Sequence, residues 1–507
     1  MKLRRLPSAL GAACLLAGIA LVAQEPAPAS PSPLRPDTAG AAAKTELTLE
    51  QCIARALQRN FDLEIDRYDP QIAKESIDVA RDPFQPVLSL TSSATHSTAA
   101  GGNAYPRTDS DNSSTSVAVT QQLYSGTTVT LSSQLARSHV DPASFSLSAY
   151  NPAYDANVTL AVRQQLLRGF GTAINKALVN RARLGLSKAN LDFKAHVLDV
   201  IQSTENAYFN VVFARDQLDV RKFSLTLAEK LYSEAKTRRD TGVATDLDVL
   251  SAEVGVANAR RGVLLAQQSV GDTEEGLLAL IGQFELEAPL GDMHFDDAGV
   301  EAPVFASSYV MAKQIQPDYL SAQAGVEQAK LDLEVAKDGT KPTLSLGGAV
   351  GIGGTRGSIG DAFSDTANSR NSNWQVDVSV SYPWGQIGDR ARYRQSLATL
   401  TQQQVHLRQL EQSIEVQVRS AVRAVQTNIE SVKISGQARQ LSERQYELEK
   451  AKFDAGLSTS YLVLQSQNDL ENARVNELQA RVSLRTFVAL LHRLEGSALQ
   501  RYRITLP

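Results

Sequence analysis

The sequence predicts an α+β membrane protein. In it a β sheet joins with identical copies into a transmembrane barrel, a long antiparallel coiled coil continues that barrel, and one structural repeat in tandem builds the whole. Three observations carry this reading. First, a shift of 214 positions superposes Tyr232, Gly242, Asn258 and Gly282 on Tyr446, Gly456, Asn472 and Gly496, so a complete helical hairpin occurs twice. Second, Gln71 to Leu90 matches Glu327 to Leu346 at nine of twenty positions, and both copies pass from a helical period into Pro-x-Leu-Ser-Leu. Third, stretches of period-two alternation occur in a chain with no apolar run of about 18 residues after its N-terminal segment. Such a chain offers an elongated frame with no evident pocket for chemistry.

Residues 1–23 read as an export signal. Lys2, Arg4 and Arg5 form a basic start and Leu6 to Ala23 an apolar run, with cleavage after Ala23 or Ala29. Cys14 lies inside that run without the leucine that a lipidation box requires. Residues 24–46 are rich in Pro and Ala and read as a leader outside the fold. With the signal removed, Cys52 is the single cysteine; no internal disulfide is available, and its neighbours Ile53, Ala56 and Leu57 make it a small core residue.

The first repeat covers residues 47–282. Thr48 to Arg81 reads as one helix, ended before Pro83. Strands fall within residues 86–168, marked by Val117 and Val119, Val129 and Leu131, and Val158, Leu160 and Val162. Tyr124 to Thr127 reads as a hairpin turn, and Ala99 to Asp111 and Ser138 to Ala156 as loops rich in Gly, Pro, Asn and Asp. A helical hairpin then fills residues 169–282, with one helix to about Arg239 and a second from Asp246 to about Ile281.

Residues 283–307, with Pro289 and Pro303, read as a linker. The second repeat spans residues 308–496: a helix over Ser308 to Lys337, strands within 342–384, and a hairpin over 388–496. Residues 497–507 form a tail. From Asp389 to Asp454 there is no Pro and one Gly, Gly436. A helix of that length extends roughly 95 Å. Leu400, Leu407, Ile414 and Ala421 recur every seven residues, with Leu397, Val418, Val425 and Val432 on the companion row, as in packed antiparallel coiled coils. So narrow a stripe cannot bury itself in a globule and needs similar helices beside it. The strands have the matching defect: open edges and an apolar face. Closure with identical copies removes both.

Enzymatic signals are weak. His96, His139, His196, His294, His406 and His492 are scattered without ligand spacing. Gly347, Gly348, Gly351, Gly353 and Gly354 follow a strand but open no helix, and no Lys-Ser/Thr comes next. Asp109 and Asp111 lack the Gly and distal Glu of a calcium loop. No Ser, His and acid arrangement stands out. The net charge is −4, and no basic stripe with aromatics marks a nucleic-acid surface. The chain is expected to be no enzyme, to hold no cofactor or metal, and to bind no nucleic acid.

In order and spacing, several segments resemble the TolC-like outer-membrane efflux proteins, over about Leu47 to Gly496. They are Leu-Thr-Leu-Glu-Gln-Cys-Ile-Ala-Arg-Ala-Leu with Arg59-Asn60, the two Pro-x-Leu strand starts, Gln165-Leu-Leu-Arg-Gly169, Gly242-Val-Ala-Thr-Asp-Leu-Asp-Val-Leu, and Gly456-Leu-Ser-Thr-Ser-Tyr-Leu-Val-Leu. The resemblance implies a homotrimer whose β-barrel crosses the outer membrane, in contact with its lipid, and whose helical tunnel reaches into the periplasm. It implies docking on a periplasmic adaptor linked to an inner-membrane pump of the RND, ABC or MFS type. The expected function is passive export in an efflux or type I secretion system. The rival is a non-conducting structural or adhesive coiled-coil protein of the periplasm.

The same resemblance assigns adaptor docking to the turns at Gly242, Val243, Ala244 and Thr245 and at Gly456, Leu457, Ser458 and Thr459. It places a periplasmic gate at Asp246, Asp248, Leu462 and Gln465. The sequence departs from the family here. Leu462 and Gln465 stand where carboxylates form a ring, and Ser458 stands where a basic residue is expected. An apolar, amide-lined constriction follows. A second departure is in the sheet: six strands are counted where the family has four, two of them around Tyr124 to Gly126, either widening the barrel or standing outside it.

Overall fold

A computed structural model describes residues 47–99, 107–141, 143, 146, 148–282, 290–295, 299–368 and 371–504. The signal and leader, Pro289 and the last tail residues lie outside them. The fold is helix-rich with one antiparallel sheet.

Thr48 opens α1 (Leu49–Arg59) through a capping box with Gln51. The single helix expected to Arg81 is interrupted. Asn60 caps α2 (Phe61–Asp66), its side chain accepting from the Leu63 N–H and donating to the Leu280 carbonyl, and α3 (Tyr68–Arg81) follows after Arg67. An amide that satisfies two backbone groups at once outcompetes helix continuation. Cys52 is fully buried, packed with Ala56, Val211, Val212, Leu277 and Ile281.

Six strands form the sheet: β1 (Val87–Ala99), β2 (Thr108–Gln122), β3 (Thr127–Asp141), β4 (Ala153–Gln165), β5 (Thr343–Arg356) and β6 (Asn371–Ser381). They lie in chain order, each antiparallel to the next. The expected loops are shorter than read, because β2 begins at Thr108, β3 runs to Asp141 and β4 begins at Ala153. Polar cross-strand pairs hold these ends in place of apolar alternation: Ser93 with Ser114 at 2.9 Å, Thr98 with Asp109 at 2.8 Å, and His96 with Asp111 at 2.7 Å.

After a short turn of helix, α4 (Thr172–Asn175), the chain enters α5 (Ala177–Asp240), which turns back as α6 (Asp246–Leu280). In the second half α7 (Phe305–Ile315) and α8 (Pro317–Gly339) replace the single helix expected over 308–337, because Pro317 starts a new helix. A helix not foreseen, α9 (Ile359–Ala367), joins β5 to β6. α10 (Ile387–Asp454) and α11 (Ser460–Glu495) form the second hairpin, and α12 (Ala498–Arg501) closes the described chain. At 68 residues α10 is about 100 Å long. Its seam residues Ile414, Val418, Ala421 and Val425 pack with Leu491 and Leu494 of α11 and Ala312 of α7. Among the described residues, no helix is long and apolar enough to cross a membrane.

Candidate functional site: the two tips and the sheet wall

Both hairpin turns follow the same local rule. Gly242 (φ +75°) and Gly456 (φ +74°) end α5 and α10 in the left-handed conformation that a side chain would strain. The chain then folds back on the helix. The Val243 N–H reaches the Arg238 carbonyl at 2.8 Å, and the Leu457 N–H reaches the Lys452 carbonyl at 2.8 Å. Thr245 and Thr459 cap the returning helices. The apolar side chains at the apices face solvent: Val243 is 74% exposed and Leu457 80%. Ser458 donates to Glu449 at 2.5 Å, and that bond, with Lys452, holds the Glu449 carboxyl below the usual range.

The tips are clamped to each other. Arg238 on α5 donates to the Phe453 carbonyl at 2.7 Å, its guanidinium lies 4.0 Å from the Phe453 ring centroid, and it is 3.6 Å from Asp454. Lys450 on α10 reaches Glu234 at 3.1 Å. Beneath these, Leu231, Ala235, Ala252, Phe453 and Val463 join all four helices in one apolar cluster. Sequence reasoning missed this clamp. A cation in the last turn of a helix reads as a partner of the helix dipole, and nothing in the pattern points it at another hairpin.

The residues expected at a gate lie near the starts of the two returning helices, Asp246 and Asp248 on α6 and Leu462 and Gln465 on α11. Asp248 completes a capping box, its carboxylate accepting from the Thr245 N–H at 3.1 Å and the Thr245 hydroxyl at 2.7 Å. Asp246 is solvent-facing, 3.7 Å from Arg239. Leu462 and Gln465 are exposed on the first turns of α11. Among the described residues, no group of His, Cys, Asp and Glu could hold a metal ion.

The sheet separates its two faces. Register puts Leu90, Val117, Ser133, Val158 and Ile352 in one row, and Leu88, Val119, Leu131, Leu160, Val350 and Trp374 in the row beside it on the same face. The opposite face carries Ser89, Ser116, Ser132, Thr159 and Asn373, and Arg163 pairs there with Asp377 at 3.0 Å. Helix α9 covers one end of the apolar face. Thr366 donates to the Ala156 carbonyl at 3.0 Å, and a Cβ on Gly354 would meet Asp365 at 2.6 Å. Among the described residues, the edge strands β1 and β6 have no partner strand on their outer sides.

The family model of outer membrane efflux proteins matches residues 52–283 and 309–497. The pyoverdine export outer membrane protein OpmQ of Pseudomonas aeruginosa is 26% identical over 337 residues, which cover 63% of this chain and 66% of that protein. The outer membrane protein TolC of Escherichia coli is 23% identical over 319 residues, 59% of this chain and 63% of its own length. Among solved structures, the outer-membrane channel OprN superposes with a TM-score of 0.69 at 18% identity, covering 89% of this chain and 90% of that one. CusC superposes at 0.67 with 15% identity, covering 89% and 92%. These likenesses establish the fold.

Proposed function

Because the chain belongs to the outer membrane efflux protein family, we propose that three copies close their sheets into one transmembrane barrel and their helices into one tunnel, giving a passive exit duct. The observation that carries this is the sheet wall. One apolar row crosses all six strands, the opposite face is polar, and among the described residues both edges are open. In hydrocarbon an open edge leaves backbone groups unsatisfied, and pairing β6 of one copy with β1 of the next removes every edge. Three is the copy number that the family resemblance implies. The solvent-facing Val243 and Leu457 suit docking of a periplasmic adaptor, and an inner-membrane pump supplies both the energy and the choice of cargo.

The gate reading follows from the tips. The closed state keeps the Arg238 clamp, and adaptor binding favours a state in which the tips part. Leu462 and Gln465 line the constriction, with Asp246 beside them, while Asp248 stays in its own helix cap. Such a constriction attracts cations weakly. Strong block of single-channel current by multivalent cations added at the tunnel end would contradict it.

Membrane fractionation tests the whole reading. An SDS-resistant trimer in the outer membrane that forms pores in planar bilayers is expected. A periplasmic, non-conducting protein would favour the structural or adhesive rival.

A further inference from the structure

The two halves differ in strand number. Among the described residues, four strands lie between Pro86 and α5 and two between Pro342 and α10. The surplus pair is β2 and β3, because β1 and β5 share the Pro-x-Leu-Ser-Leu start while β4 and β6 lead into the long helices. The surplus pair does not hang from an edge. It sits inside the sheet, between β1 and β4. Each of its strands has 15 residues, and about 9–11 suffice to cross a bilayer.

Its side chains continue the wall at the same height. Val119 stands opposite Leu88 on β1 and Leu131 on β3, and Leu131 stands opposite Leu160 on β4. On the other face the pair adds Ser114, Ser116, Thr130, Ser132 and Gln134, all uncharged. Its turn is seated where the sheet meets the helices. The Gln165 N–H donates to the Gly126 carbonyl at 3.2 Å and the Gly171 N–H to the Ser125 carbonyl at 3.2 Å, and Lys176 lies 4.7 Å from the Tyr124 ring centroid.

Resting on the trimeric-duct reading above, we infer that β2 and β3 widen the pore: six strands from each of three copies make an eighteen-stranded barrel, whose bore admits bulky polar cargo. With strands 4.8 Å apart and tilted 40°, eighteen strands enclose a backbone diameter of about 36 Å, against about 24 Å for twelve. The hydroxyl and amide groups that β2 and β3 bring to the lumen add width without a charge preference. The size limit on cargo therefore falls on the helical tips.

Single cysteines in the full-length assembly, reconstituted in lipid vesicles, test this with a water-soluble maleimide. Burial pushes the Cys52 thiol up to about 11, so it stays silent at neutral pH. Leu160→Cys and Val376→Cys report the lipid face of the strands common to both halves. Val117→Cys and Leu131→Cys report the surplus pair, and Ser116→Cys and Ser132→Cys its lumen face. The expected result is labelling at Ser116→Cys and Ser132→Cys and loss of labelling at the other four, with eighteen strands counted in averaged images of the assembly. Labelling at Val117→Cys and Leu131→Cys with Leu160→Cys and Val376→Cys protected, or a count of twelve, would overturn the widening and leave the duct intact. Labelling at all six would overturn the duct itself, and the widening with it.

Discussion

Arg238→Ala removes a side chain that reaches from the first tip to the backbone of the second. The guanidinium is about a quarter exposed. Its charged hydrogen bond to the Phe453 carbonyl contributes about 1.5 kcal/mol, its placement over the ring about 0.5 kcal/mol, and its ion pair with half-exposed Asp454 close to nothing. The total is about 2 kcal/mol, about thirtyfold in an equilibrium constant. If the closed state depends on the tips staying together, the variant shifts that equilibrium about thirtyfold per copy towards open. Planar-bilayer recordings of the purified assembly at fixed voltage read the open probability. Arg239→Ala is the control, because Arg239 pairs with Asp240 and Asp246 of its own turn and is expected to change little. An unchanged open probability in Arg238→Ala, with the assembly intact, would refute the idea that opening separates the two hairpins.

Three further outcomes follow from the same structure. Gly456→Ala meets open space, so its cost is backbone strain alone, about 1 kcal/mol; Gly126→Ala has the same kind of strain and also places its Cβ 2.3 Å from the Gly169 carbonyl, so its melting temperature should fall well below that of Gly456→Ala. Burial pushes the His492 ring from 6.5 down to about 4. The fold therefore favours the neutral ring, and the stability gained is full above pH 6.5 and lost as the pH falls towards 4, about 3 kcal/mol in all. Glu205, whose carboxyl burial raises, acts in the opposite sense, so comparing denaturation midpoints of wild type and His492→Gln at pH 7 and 4.5 isolates the ring; equal acid losses would show that it has no part. Asn60→Ala loses both the α2 cap and the bond to Leu280, and chemical denaturation should register about 1–2 kcal/mol.

The long elements were legible because each leaves a strong periodic trace. The seam through Ile414 and Ala421 and the two tip glycines mark the hairpins, and the alternation at Val117, Val129 and Val158 marks the strands. What escaped was decided by single polar groups or by distant contacts. Asn60 breaks a helix that its neighbours would continue. Helix α9 is nine residues long and holds to the sheet through Thr366 and through the bare backbone of Gly354, neither of which leaves a pattern. The polar strand ends at His96 and Asp111 carry loop-like composition, and only pairing across strands makes them extended. At the tips, the glycines and caps were readable because a turn is local. The clamp was not, since Arg238 and Phe453 are far apart in sequence.

The hairpins have a mechanical consequence. Helix α6 alone is 35 residues, about 52 Å from the Gly242 turn to its far end near Ile281. Over such an arm, a pivot of about 5° at the inner end carries the outer end sideways by about 5 Å. Large excursions at the hairpin tips therefore require only slight rearrangement where the rods are rooted, and the packing around Cys52 and Leu277 can act as a stiff fulcrum without being taken apart.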